Sequence, residues 1–167
     1  SNNDVTAGAK RIYLIADSAP GLSVNFTALD NTVTSTGSFE DGILAELSAD
    51  RMTVDADVSG NELDADGTGL DIETFSDDMN TTLTASENVV NPGARIGVAL
   101  RGGLGTTQNA TWRVSDNSID QAETGIYLEN VKMRDAGSYD VTVQNNTVTD
   151  TSEVGLEIDS EVGSGAS

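Results

Sequence analysis

The feature that most restricts what this chain can become is a phrase it writes five times. An Asn followed two residues later by an aliphatic residue occurs in DNTV at 30–33, GNEL at 60–63, ENVV at 87–90, DNSI at 116–119 and NNTV at 145–148. The intervals between Asn31, Asn61, Asn88, Asn117 and Asn146 are 30, 27, 29 and 29 residues. A Gly phrase follows each Asn: GILA at 42–45, GLDI at 69–72, GVAL at 97–100, GIYL at 125–128 and GLEI at 155–158. RIYL at 11–14 is a sixth copy with Arg in place of Gly. Self-similarity at this period marks an array in which each unit buries its apolar face on the next.

The residues before each Asn say what the unit is made of. Three positions before it stand Ala28, Val58, Ala85, Val114 and Val143; five before it stand Phe26, Ala56, Leu83, Trp112 and Val141. Alternate residues are therefore apolar, the period of strands with one buried face. No long stretch keeps a 3.6-residue period, so the fold class expected is all-β with almost no helix. A unit of this length holding three short strands is one coil of a parallel solenoid, adding a strand to each of three sheets about 4.8 Å above the last. The five asparagines then stack at a bend, amide on amide. Asn is expected to take the left-handed backbone there, a conformation it tolerates.

The pair of motifs N-x-[V/I/L] and G-[I/L/V]-x-[I/L/A] resembles the parallel β-helix repeats of the pectin-lyase-like superfamily, over residues 11–160. Residues 1–10 then read as a tag remnant and lead-in, and 161–167 as the tail of an excised segment. The resemblance implies a right-handed, single-stranded parallel β-helix of about five coils with an Asn ladder. It implies no single activity, because the superfamily includes polysaccharide lyases and hydrolases, uronan epimerases, phage tailspikes and adhesins without catalysis. Function has to be argued from the site.

Composition removes several classes. With 28 acidic and 8 basic residues the formal net charge is −20. Such a surface repels phosphate backbones, so no nucleic-acid partner is expected. Cys and His are both absent, which excludes disulfides, thiolate or imidazole catalysis and zinc sites of the usual kind. No apolar run is long enough to insert into a membrane. The Ser-Asn start and the GSGAS ending lead us to expect a piece of a longer secreted or cell-surface protein of bacterial origin.

Candidate chemistry falls on the sheet opened by the Gly phrase. Two residues after the Gly position lie Tyr13, Leu44, Asp71, Ala99, Tyr127 and Glu157; four after it lie Ile15, Glu46, Glu73, Arg101, Glu129 and Asp159. Both columns are expected to face outward. Closely spaced carboxylates serve a glycosidase as acid and base or nucleophile. Glu73, Arg101 and Glu129 are thus the candidate catalytic set for an anionic glycan. A binding surface without turnover would use Asp71, Glu73, Arg101, Tyr127, Glu129, Glu157 and Asp159, with Tyr127 stacking on a sugar ring. The plainer reading is a solvated charged column in which Arg101 relieves repulsion between its acidic neighbours.

Calcium is the one cofactor the sequence suggests. DADVSGNELDAD at 55–66 nearly spells a calcium loop. The repeat instead puts Val54, Ala56 and Val58 inward, leaving Asp55 and Asp57 on the outer face of a strand, where they cannot wrap an ion. Asp64, Asp120 and Asp150, just beyond the Asn phrase, remain candidates to hold calcium between rungs. The expected function is a non-catalytic stalk, or a carbohydrate- or surface-binding segment of an adhesin-like protein. Its partners would be glycans and further coils of the parent chain. The alternative is a fragment of a polysaccharide lyase or glycoside hydrolase.

Overall fold

The computed structural model describes residues 4–7, 12–17, 21–35, 40–76, 78–103, 107–133 and 136–162. The Ser-Asn start and the GSGAS ending lie outside them. Every third strand joins the same sheet. The first sheet contains β1 (Asp4–Ala7), β4 (Thr32–Ser35), β7 (Glu62–Ala65), β10 (Val89–Val90), β13 (Ser118–Asp120) and β16 (Thr147–Thr149). The Gly-led second sheet contains β2 (Ile12–Asp17), β5 (Ile43–Ser48), β8 (Thr68–Phe75), β11 (Ile96–Gly103), β14 (Thr124–Met133) and β17 (Val154–Val162). The third contains β3 (Leu22–Leu29), β6 (Arg51–Ser59), β9 (Asp78–Ser86), β12 (Thr107–Ser115) and β15 (Ala136–Gln144). All pairings are parallel, and the described residues contain no helix. The chain is a parallel β-solenoid. Strand β1 falls within the segment that sequence reads as lead-in.

Between the sheets the core is a set of stacked columns. Leu70, Val98 and Ile126 continue one another, as do Ile72, Leu100 and Leu128, and all six are at most 1 % exposed. On the third sheet, Val54, Ala56 and Val58 are buried while Asp55 and Asp57 are exposed, so the calcium-loop letters are strand letters. The largest core side chain is Trp112. Its Nε1–H donates to Thr81 Oγ1 at 3.1 Å, and its ring meets Tyr139 edge-on at 5.0 Å between centroids. That one bond satisfies the indole's only donor.

The asparagines form the expected ladder. Nδ2 of Asn31, Asn61, Asn88 and Asn117 donates to Oδ1 of the next at 2.8, 2.9, 3.0 and 2.9 Å. The backbone N–H of each donates to the same oxygen. The second Nδ2 proton reaches back to a carbonyl one rung earlier, Val58 for Asn88. A backbone bend buried in a core must find partners for its N–H and C=O groups, and a carboxamide supplies both kinds. The backbone detail differs from expectation. The left-handed residue is the one before each ladder Asn: Asp30, Gly60, Glu87, Asp116 and Asn145, at φ of 53°, 68°, 56°, 60° and 55°. Asn is selected for its side chain, and its predecessor turns the corner.

The Gly column has a spatial cause. A Cβ on Gly97 would lie 2.6 Å from the Gly125 carbonyl oxygen and 2.6 Å from Ile119 Cγ2. Gly42, Gly69 and Gly125 are closed off by the next rung's carbonyl in the same way, whereas Gly155 in the last rung has nothing within 4 Å. Gly97→Ala should therefore cost about 1–3 kcal/mol through overpacking, read as a lower urea midpoint at constant m. Gly155→Ala should stay within about 0.5 kcal/mol of the parent. Equal effects at the two positions would contradict the steric reading.

Candidate functional site

The register places both candidate columns as expected. Asp71 pairs with Ala99 and Ala99 with Tyr127; Glu73 pairs with Arg101 and Arg101 with Glu129. Ala99 is the smallest member of its column, and the room it leaves is taken by Arg101. The guanidinium reaches diagonally back to Asp71, with Nη1 2.5 Å from Oδ2, and donates to Glu73 Oε1 at 2.6 Å. Its Nε lies 3.9 Å from Glu129 Oε2, and Cζ sits 5.6 Å from the Tyr127 ring centroid. One cation thus draws in two carboxylates from the rung before it, and a third carboxylate and an aromatic face from the rung after it.

Not all of the expected outward residues reach solvent. Leu44, Asp71 and Ala99 are 5 %, 4 % and 0 % exposed, which corrects the reading of that column as open surface. Asp71 Oδ1 is also buried without a hydrogen-bond partner among the described residues. Burial raises the Asp71 carboxyl from 3.8 to about 7; Arg101 opposes the shift, and the carboxylates of Glu73 and Asp41 add to it. Burial pushes Arg101 the other way, yet the charges of Asp71 and Glu73 and the bond to Glu73 leave it above its ordinary value. Its positive charge is fixed.

Five of the seven predicted binding residues therefore form one cluster: Asp71, Glu73, Arg101, Tyr127 and Glu129. Glu157 and Asp159 lie exposed on β17, the next and last strand of that sheet. Asp41 was missed. It lies in the turn before β5, accepts the Thr68 backbone N–H at 2.9 Å and adds negative charge near Asp71. Nothing periodic marks it, because turn lengths vary between copies. The Tyr13 hydroxyl donates to Glu46, so that ring too is engaged within the protein.

The calcium candidates do not converge. Asp120 pairs with Thr149, whose Oγ1 donates to it at 2.8 Å. Asp150 lies one residue further on, at a left-handed position with φ of 52°. Asp64 pairs with Thr34, and between its rung and that of Asp120 intervenes the rung of β10. Among the described residues no three carboxylates are grouped to hold a metal ion. Among the described residues no helix is long and apolar enough to cross a membrane.

In comparisons with known proteins, no family model, no curated protein and no solved structure gives a significant match. The repeat and its geometry define the class, a parallel β-solenoid with an Asn ladder.

Proposed function

We propose that this chain is a non-catalytic stalk or surface-binding segment of a secreted or cell-surface protein, built on the pectin-lyase-like plan. The observation that carries this reading is the engagement of Arg101. A clamp on a uronate carboxylate needs a guanidinium free to meet it, but this one is held by Asp71 and Glu73. A general acid must touch the leaving oxygen, and Asp71, whose carboxyl burial shifts toward neutrality, is closed off from solvent. The cluster reads as an internal neutralising device for an acidic column. What the surface offers a glycan is the shallow row of Tyr127, Glu129, Glu157 and Asp159, with contact and no apparatus for bond cleavage.

The competing reading, an enzyme fragment acting on an anionic glycan, draws on the same cluster: Asp71 and Glu73 share one guanidinium, and burial raises the Asp71 carboxyl toward the range a general acid needs. Incubation with pectate and alginate separates them. The expected result is no release of reducing ends or unsaturated uronates, from either the parent or Arg101→Ala. Activity in the parent that vanishes in a folded Arg101→Ala variant would replace the stalk with the enzyme.

A further inference from the structure

Exposed carboxylates stand on all three sheets, among them Asp64, Glu157 and Asp55, yet one lane of the third sheet has none. Ser23, Thr53, Asn80, Asn109 and Ser138 stand over one another on β3, β6, β9, β12 and β15. All five are exposed and uncharged, on a chain of net charge −20. Asn109 Nδ2 donates to Asn80 Oδ1 at 3.0 Å, and Ser138 Oγ donates to Asn109 Oδ1 at 3.2 Å. Both Nδ2 protons of Asn80 remain without an acceptor among the described residues.

A groove of about 190 Å³ opens beside Asn80, lined by Gly21, Ser23, Arg51, Thr53, Asp78 and Asn80. Gly21 leaves it open, since a Cβ there would meet nothing within 4 Å. Arg51 pairs with Asp78 in the ladder but makes no ion pair among the described residues. It differs in this from Arg101, which carboxylates hold on both sides. The groove thus combines donors, the Arg51 guanidinium and Asn80 Nδ2, with acceptors, the Ser23 and Thr53 hydroxyls and the Asp78 carboxylate. Donors and acceptors together in so small a space match adjacent hydroxyls, each of which both donates and accepts. We propose that this groove binds one residue of a neutral glycan, with Arg51 and Asn80 donating to its hydroxyls and Asp78 accepting from them. The proposal rests on the surface-binding reading above and names a contact on the third sheet, away from Tyr127. Neutrality follows from charge: Asp78 and the exposed Asp50 offset Arg51, and the rest of the chain repels an anion. The volume lies below the about 300 Å³ at which sites for drug-sized ligands begin, which suits a single ring. The lane of Asn109 and Ser138 then carries the neighbouring sugar units.

Titration of the isotope-labelled protein with cellohexaose, xylohexaose and mannohexaose, followed by NMR, tests this, with a hexamer of polymannuronate as the anionic counterpart. The expected result is that at least one neutral hexamer binds in the millimolar range and shifts the signals of Arg51, Thr53 and Asn80, while polymannuronate does not. Arg51→Ala and Asn80→Ala, both at exposed positions, should each weaken that binding about tenfold and leave the circular dichroism unchanged. Tyr127→Ala should bind as the parent does. Shifts confined to the row around Tyr127 would overturn the proposal and keep the surface-binding reading. No binding of any neutral hexamer, tighter binding of polymannuronate, or an affinity unmoved by Arg51→Ala would also overturn it. Failure of the reading on which it rests is a separate result, turnover of pectate or alginate.

Discussion

Asn88→Ala should lower stability by on the order of 3–5 kcal/mol, through loss of four bonds in a site where water cannot replace them. Asn88 is 0 % exposed. Its Oδ1 accepts from the Asn61 backbone at 3.1 Å and from Asn61 Nδ2 at 2.9 Å; its Nδ2 donates to Asn117 and to the Val58 carbonyl. Truncation leaves the Asn61 backbone N–H buried without its acceptor, the costly outcome for a polar group. Asn88→Asp should be no better, because a carboxylate cannot donate to Val58 or Asn117. Asn146→Ala, in the half-covered last rung, should cost only about 1–2 kcal/mol. Urea unfolding followed by far-ultraviolet circular dichroism gives all three. A central loss should also reduce m, since contacts in a linear array pass only between neighbours. If Asn88→Ala and Asn146→Ala cost the same, the ladder is not what holds the bend.

The second large effect is a pH dependence located at Asp71. Its folded value of about 7 lies above the ordinary value of 3.8, so the folded state binds the proton more tightly. Stability from this group is greatest below about pH 4, falls as pH rises through the interval, and levels off above about 7. At 1.36 kcal/mol per unit, the loss across that interval is on the order of 4 kcal/mol. Asp71→Asn keeps the shape and removes the titration. Arg101 retains Glu73 and Glu129, so the cation is not stranded. The variant should match the parent near pH 4 and exceed it by about 1–3 kcal/mol at pH 8, the ion pair to Asp71 being the part not recovered. The comparison is made as a difference between the two proteins, which cancels the contributions they share. Parallel stability curves for the two would show that Asp71 ionises in the folded protein as it does in the unfolded chain.

The architecture was legible because a solenoid repeats its constraints. Asn31, Asn61, Asn88, Asn117 and Asn146 meet one hydrogen-bonding problem five times, and Gly42, Gly69, Gly97 and Gly125 one steric problem four times, so the letters recur. Asn3-Asp4-Val5 carries the same N-x-V phrase 28 residues before Asn31, a signal of strand β1 that the lead-in reading passed over. The backbone corner was harder to see. Asp30, Glu87, Asp116 and Asn145 share a conformation and no side-chain task, so their identities drift. The burial of Asp71 was out of reach for a different reason. It depends on Arg101 leaning across the gap above Ala99, a diagonal contact between columns that no single column spells out. The same contact turned Tyr127 from a free stacking platform into a partner of the guanidinium. Asp150 stands four residues after Asn146, whereas Asp64 and Asp120 stand three after Asn61 and Asn117, so it never shared their place in the repeat.

The ladder and the three sheets share one axis, and that has a mechanical meaning. Tension applied between the two ends runs along the hydrogen bonds themselves; every rung bears the same load, and the outermost, bonded on one side only, gives first. Such a body yields by unzipping, one coil of 27–30 residues at a time, each freeing roughly 100 Å of contour at 3.3–3.6 Å per residue. A tether of this design gives way in steps and absorbs a pull that a transversely loaded sheet would resist until it broke.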